Sequence, residues 1–360
     1  MAEPSSKGGH DAGHGIEGVD VAGVTRWFEE HAPTVAPPLD FHLIAGGHSN
    51  LTFAVTDTAA NKWVLRRPPL GQVLATAHDM GREHTIISAL GPTDVPVPPT
   101  VGLCTDESVN GSPFYVMDFV DGTVVRDHAT AESLTVDQRG RASESIVDVL
   151  ARIHAVDVDA VGLGELGRKD GYIERQLKRW YRQYQASQEH SPDVDFRQVD
   201  EVFETLSGRI PPQRGTAIVH GDYRLDNCMI DEHGDINAVL DWEICTLGDP
   251  LADVGLLWVY WADPDGGSVL PQSSPTALDG FLRKADLIDR YAASSGRDLS
   301  DIDFYVAFGF WKLTCIIAGV YSRYAAGAMG SDVPAAQVQG FRSMVETLAD
   351  LAADATARIS

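Results

Sequence analysis

The sequence predicts an α+β fold, with a small β-rich N-terminal lobe at residues 21–120 and a larger, mainly helical C-terminal lobe at 121–360. Three observations carry this. Short runs with strand-like alternation crowd the first third of the chain. Stretches with apolar residues at helical spacing fill most of the rest. One brief return to strands, around residues 216–241, interrupts those helices.

Taken in order, residues 1–20 are rich in Gly, Ser and His and have little to bury, so they are expected to form a disordered tail. A helix is expected from Val21, with Val24, Trp27 and Phe28 on one face and Pro33, Pro37 and Pro38 closing it. Residues 41–44, 51–56 and 62–67 read as strands, the last stopped by Pro68-Pro69. A helix over 76–90 presents Met80, Ile86, Ile87 and Leu90, and strands follow at 100–104 and 113–120. Beyond the Asp121-Gly122 turn, helices are expected at 138–154, 173–185 and 199–206. Short strands at 216–220, 228–231 and 236–241 come next, the last two joined by the turn Glu232-His233-Gly234-Asp235. Helices resume at 250–261, 278–294, 303–325 and 335–355, and 263–275 reads as a loop.

Bulk properties narrow the function. The chain has 360 residues, 44% of them hydrophobic and 22% charged, which suits folded lobes with cores of their own. Its net charge of -24 makes it a poor general partner for nucleic acid or an anionic membrane, both of which call for Lys and Arg. The four cysteines, Cys104, Cys228, Cys245 and Cys315, are far apart and form no CxxC pair. Free thiols in a reducing cytosol are therefore expected, rather than a disulfide framework or a zinc site. The first 20 residues lack an apolar core, no run of 18 apolar residues occurs, and a cytoplasmic location is expected.

The chemistry is concentrated in His220-Gly221-Asp222-Tyr223-Arg224-Leu225-Asp226-Asn227, which fits H-x-D-x-x-x-x-N, the spacing of a kinase catalytic loop. Phosphoryl transfer to a hydroxyl needs one carboxylate to take or orient the hydroxyl proton. It needs an amide oxygen to reach a phosphate-bound Mg²⁺ and a second carboxylate to hold that metal. Asp222 and Asn227 match the first two. Asp241 stands at the end of the second hairpin strand, which folds it back towards Asn227.

With these residues in place, "IVHGDYRLDNCMID" followed by "AVLDWEICTLGDPLADVG" resembles the aminoglycoside-phosphotransferase superfamily, of protein-kinase-like two-lobed fold. It looks closest to the branch that includes kinase-like domains fused to acyl-CoA dehydrogenases. The resemblance covers about residues 43–324. It implies Asp222 as base, Asn227 and Asp241 as magnesium ligands, and His220 as a prop of the loop. It also implies ATP or GTP as co-substrate at the lobe junction, and a small-molecule hydroxyl as acceptor. Asp241-Trp242-Glu243 stands where a protein kinase carries Asp-Phe-Gly. Asp249, just before Pro250, is expected to cap the next helix.

On the nucleotide side, the loop of Gly46, Gly47, His48, Ser49 and Asn50 offers a close backbone approach to phosphates, with Gly47, Ser49 and Asn50 as contacts. The strand Trp63-Val64-Leu65-Arg66 resembles the kinase V-A-I-K strand, with Arg66 in place of Lys and Glu83 as its partner. Arg67 and Arg82 are the alternatives if the register differs by one. Met117, Asp118, Phe119 and Val120 are expected at the adenine edge. Arg224, Asp226, Glu243 and Trp311 are the expected substrate contacts. Six acidic residues and no Lys or Arg between Asp241 and Asp265 suit a cationic amino sugar. The relatives fused to acyl-CoA dehydrogenases suggest a hydroxyacyl compound instead, with aromatic residues such as Trp258, Tyr260, Trp261 and Trp311 around it. A catalytically silent nucleotide-binding protein is the alternative. A protein kinase is disfavoured, since only eight positions separate Asp241 from Asp249, too few for a phosphorylatable activation loop.

Overall fold

The computed structural model describes residues 16–45, 50–70, 79–191, 196–265, 274–327 and 334–359. Gly47 and Ser49 lie outside the described residues, as do residues 1–15 of the expected tail and most of the expected loop at 263–275. The chain divides into two compact units. The first ends at Ser88 and resumes over Pro98–Phe119; the second comprises Ala89–Val97 and Val120–Ser360.

The first unit contains α1 (Val21–His31), β1 (Asp40–Ala45), β2 (Leu51–Thr56), β3 (Lys62–Arg67), most of α2 (Met80–Leu90), β4 (Thr100–Cys104), α3 (Glu107–Asn110) and β5 (Phe114–Asp118). Its strands form one antiparallel sheet in the order β1-β2-β3-β5-β4. Side chains alternate across a sheet, so one face gathers Phe53, Val55, Trp63, Leu65, Phe114 and Val116 against Val24, Trp27 and Phe28 of α1. Trp27 meets Phe114 edge-on at 5.2 Å between ring centres. The same alternation turns Val64, Arg66, Tyr115 and Met117 to the opposite face, with Arg66 opposite Tyr115 and Val64 opposite Met117. Residues 18–20, expected within the tail, make specific contacts. Val19 is buried, the Gly18 carbonyl accepts from Arg67, and Asp20 caps α1 by accepting from the Gly23 amide at 2.9 Å.

The second unit contains α4 (His128–Glu132), α5 (Val136–Ala155), α6 (Tyr172–His190), α7 (Arg197–Gly208) and β6 (Ala217–Val219). After these come β7 (Cys228–Ile230), β8 (Ile236–Val239), β9 (Thr246–Gly248), α8 (Leu251–Tyr260), α9 (Lys284–Ser295), α10 (Ile302–Ala325) and α11 (Ala335–Thr356). Residues 89–97 belong here, where the Pro96 carbonyl accepts from the Val239 amide at 2.9 Å and the Asp94 carbonyl from Arg152 at 3.0 Å. The hairpin β7–β8 closes where Asp231 Oδ1 accepts from the His233 and Asp235 amides, with Gly234 at φ 91°.

Helix α10 is long and apolar enough to cross a membrane by length and composition, but 83% of its most apolar stretch is buried inside the protein. It is the central core helix of this unit, packed by α6, α8 and α11. Three short elements, α3, α4 and β9, escape the sequence reading. A three-residue strand has no periodicity to read, and α4 is one turn fixed by a capping box between Asp127 and Thr130. The helix expected from residue 278 starts only at Lys284, because Gly280 sits at φ 101° and breaks any helix through it.

Candidate active site

The site in the second unit is built on the loop that leaves β6. Two buried charges fix the peptide groups just before Asp222. Asp253, on α8, accepts from the His220 amide at 2.7 Å and the Gly221 amide at 2.9 Å. Lys312, buried on α10, donates to the Gly221 carbonyl at 2.8 Å. Gly221 itself adopts φ 85°, a conformation that favours glycine. Burial pushes the Lys312 ammonium below its ordinary pKa, and Asp253 and Asp222 work the other way.

His220 is fully buried and acts within the backbone. Its Nε2 donates to the Leu240 carbonyl at 2.9 Å, its Nδ1 accepts from the Asp222 amide at 3.3 Å, and its ring lies 4.8 Å from Trp242. The Leu240 amide in turn donates to the Asn227 carbonyl at 2.8 Å. The residue before Asp241 is thus tied to both His220 and Asn227. Asp241 has φ 64°, an arrangement that costs a non-glycine residue about 1–3 kcal/mol. The surrounding hydrogen bonds hold it there.

The Asp222 carboxylate meets three side chains. Asn227 Nδ2 donates to Asp222 Oδ2 at 3.0 Å and to the Asp222 carbonyl at 2.8 Å. Arg224 Nε lies 3.6 Å from the same Oδ2, and Arg224 Nη2 pairs with Asp226 at 3.2 Å. The Tyr260 hydroxyl donates to Oδ1 at 3.2 Å, and the Arg224 guanidinium lies 4.9 Å from the Tyr260 ring centre. Burial works against the charge of Arg224, but Asp222, Tyr260 and Asp226 outweigh it and raise its pKa. Burial raises the Asp226 carboxyl.

Beside these residues opens a cavity of about 680 Å³. Leu257, Trp261, Leu313, Ile316, Ile317 and Met344 give it apolar walls. Arg126, Asp127, Arg224 and Asp226 add charges of both signs, and Tyr260 joins it to Asp222.

The donor set fits magnesium. Among the described residues, no group of three or more His, Cys, Asp or Glu side chains is placed to hold a metal. Nδ2 of Asn227 is committed to Asp222, and the bond from the Leu240 amide to the Asn227 carbonyl ties the residue before Asp241 to Asn227. The oxygen donors of Asn227 and Asp241 suit a hard ion.

Several expected residues fall elsewhere. Trp311 is fully buried, donates to the Val199 carbonyl at 2.9 Å and stacks 5.8 Å from Phe203, so it belongs to the core and touches no substrate cavity. Glu243 is half-buried and does not line the cavity. Four of the six acidic residues of the expected cleft are committed within the protein. Asp249 caps α8 through the Leu251 amide at 3.1 Å and accepts from Tyr305 at 2.7 Å; Asp253 holds the loop; Asp263 accepts from the Lys284 amide; Asp265 pairs with Arg283.

In the first unit, Arg66 Nε lies 3.2 Å from Glu83 Oε2, both largely buried, whereas Arg67 is committed to the Gly18 and Pro68 carbonyls. Asn50 is buried at the start of β2, and Met117 is buried on β5. The amides of Asp118 and Phe119 donate to the Pro99 and Lys62 carbonyls, so these two donors are used within the unit. Val120 belongs to the second unit. Sequence reasoning missed Lys312 and the loop-holding role of Asp253. A single lysine inside the apolar run of α10 was the available signal for the first.

Known proteins resemble most of the chain. Residues 40–291 match the APH model, described as a phosphotransferase enzyme family. The acyl-CoA dehydrogenase family member 10 of Mus musculus is 33% identical over 321 residues, which are 88% of this chain and 29% of that protein. The chain spans 41% or less of the first curated relatives it matches. The crystal structure of a candidate aminoglycoside phosphotransferase from Ralstonia eutropha superposes with a TM-score of 0.79 at 30% identity, covering 95% of this chain and 99% of that one. The GDP complex of aminoglycoside 2'-phosphotransferase-IIIa shares the fold, with a TM-score of 0.60 at 14% identity over 92% of this chain and 99% of that one.

Proposed function

The chain belongs to the APH phosphotransferase enzyme family, and on that premise we propose that it moves the γ-phosphoryl group of ATP or GTP to a hydroxyl of a small hydroxyacyl compound. The observation that carries this reading is the position of Asp222. Its carboxylate is fixed by Asn227 on one oxygen and by the wall of an apolar cavity, through Tyr260, on the other.

In the step proposed, the acceptor oxygen bonds to the γ-phosphorus while the bond from that phosphorus to the β–γ bridging oxygen breaks. The hydroxyl proton passes to Asp222, and the nucleoside diphosphate leaves. Asn227 and Asp241 hold Mg²⁺, which when bound supplies charge neutralisation at the phosphate oxygens. Within the first unit, the Arg66 guanidinium is kept in place by Glu83. Most of the rate then comes from positioning and charge, because the protein forms no covalent bond.

The acceptor class rests on the cavity. Its apolar walls suit a hydrocarbon body, and its two arginines balance its two carboxylates. A polycationic amino sugar would call for an excess of carboxylates, and four of the six acidic residues between Asp241 and Asp265 are committed within the protein. A transfer screen with ATP, GTP and Mg²⁺ over hydroxyacyl acids, hydroxyacyl thioesters, aminoglycosides and amino alcohols tests this. Hydroxyacyl compounds should be phosphorylated. Asp222→Ala should lower turnover about 10²–10⁴-fold with nucleotide affinity nearly unchanged. Nucleotide binding without transfer to any acceptor would favour a silent binding protein, and transfer to aminoglycosides alone would overturn the acceptor class.

A further inference from the structure

We propose that Tyr260 is a specificity-determining positioning residue that aims Asp222 Oδ1 into the cavity and decides which acceptor hydroxyl can reach it. This rests on the phosphotransferase reading of the same site.

The two oxygens of Asp222 are not equivalent. Oδ2 faces the chain's own machinery, with Asn227 Nδ2 at 3.0 Å and Arg224 Nε at 3.6 Å. Oδ1 accepts from the Tyr260 hydroxyl at 3.2 Å, and Tyr260 lines the cavity. Asp222 does not itself line the cavity, and Oδ1 is the oxygen tied to the cavity wall, through Tyr260. An ionised carboxylate oxygen has two acceptor sites, so the phenol takes one and leaves the other for the acceptor. The acceptor hydroxyl must then lie beside the phenol oxygen, which excludes bulk on that side of its carbon.

The phenol is itself well placed to set direction. Tyr260 is the last residue of α8, and its ring is overlaid by the Arg224 guanidinium, which Asp226 anchors in turn. Asp253, earlier on the same helix, holds the amides of His220 and Gly221. One helix thus sets both the backbone that carries Asp222 and the donor that orients its carboxylate.

Tyr260→Phe keeps the ring and removes only the hydroxyl. Its turnover is expected to fall about tenfold, with the nucleotide KM unchanged, because a misaimed base slows the chemical step and leaves nucleotide binding alone. It should also accept hydroxyls bearing a bulkier neighbouring group than the parent allows. Tyr260→Leu, which loses the Arg224 contact as well, should add a rise in acceptor KM. A Tyr260→Phe enzyme with parental turnover and parental acceptor range overturns the proposal.

A second readout is independent of turnover. In protein labelled with 3-fluorotyrosine, the resonance missing from Tyr260→Phe belongs to Tyr260, and it should shift when Asp222 is replaced by Ala. An unmoved resonance overturns the contact and the proposal, even if the protein is a kinase. A moved resonance in a parent that phosphorylates no acceptor supports the contact and counts against the phosphotransferase reading instead.

Discussion

The side chains around Asp222 separate by sequence distance into those that can be read from the chain and those that cannot. Asp222 and Asn227 belong to one short loop whose local backbone fixes their spacing, so H-x-D-x-x-x-x-N reveals both. Asp253, Tyr260 and Lys312 contact that loop from 33, 38 and 91 residues away, and no local spacing reports such contacts. Asp253 also faces His154, which is fully buried, has Nε2 3.5 Å from Asp253 Oδ2 and accepts from the Tyr291 hydroxyl at 2.7 Å. Burial pushes His154 below its ordinary pKa, with Arg297 adding to this and Asp253 and Asp249 opposing it. The unfolded chain takes a proton near pH 6.5 that the folded chain refuses until lower pH. Below that value the unfolded state binds more protons, so stability falls as pH drops. Urea unfolding at about pH 7.5 and about pH 5.5 should show a smaller loss for His154→Gln than for the parent, across the range where histidine titrates. The difference between the two proteins cancels the change in overall charge, and equal losses would contradict the assignment.

At the scale of elements, strands of the first unit and long helices of the second are legible because each buries one face at its own period. The expected and observed bounds of β2, β3 and β4 coincide. What periodicity does not report is how closely two helices approach. Helices α8 and α10 touch through backbone: a Cβ built on Gly255 would lie 2.4 Å from the Tyr305 carbonyl oxygen, and one on Gly309 would lie 3.1 Å from Val259. This approach brings Tyr305 to Asp249 and sets α8, which carries Asp253 and Tyr260. In Gly255→Ala, the gain in helix propensity is roughly 0.5–1 kcal/mol, but the new methyl meets a carbonyl that no side-chain rotation can move. Overpacking of this kind costs about 1–3 kcal/mol, so the net effect should be destabilising. Gly340→Ala, in α11 with nothing within 4 Å of its Cβ, isolates the propensity and should stabilise by roughly 0.5–1 kcal/mol. Denaturant midpoints of the two variants should move in opposite directions, and a stabilised Gly255→Ala would mean that the helices can separate at little cost.

At the scale of the whole molecule, 52 carboxylates face 28 lysines and arginines, giving a net charge of -24. Folding draws these like charges together, and their repulsion opposes the compact state. Salt acts on two opposed quantities here. It weakens exposed ion pairs such as Lys169–Asp159 and Arg197–Glu201, but each such pair contributes only about 0–1 kcal/mol. It also screens the repulsion among the excess carboxylates, which acts over the entire surface and has no counterpart to offset it. The Debye length falls from about 30 Å at 0.01 M to about 8 Å at 0.15 M, so most of this relief should come at low concentrations. The thermal midpoint should therefore rise with NaCl between about 0.01 and 0.15 M and then level off. A falling midpoint over that range would mean that surface ion pairs outweigh the net charge. Buried pairs such as Arg66–Glu83 are screened least, so a variant lacking that pair should keep the same slope from a lower starting midpoint.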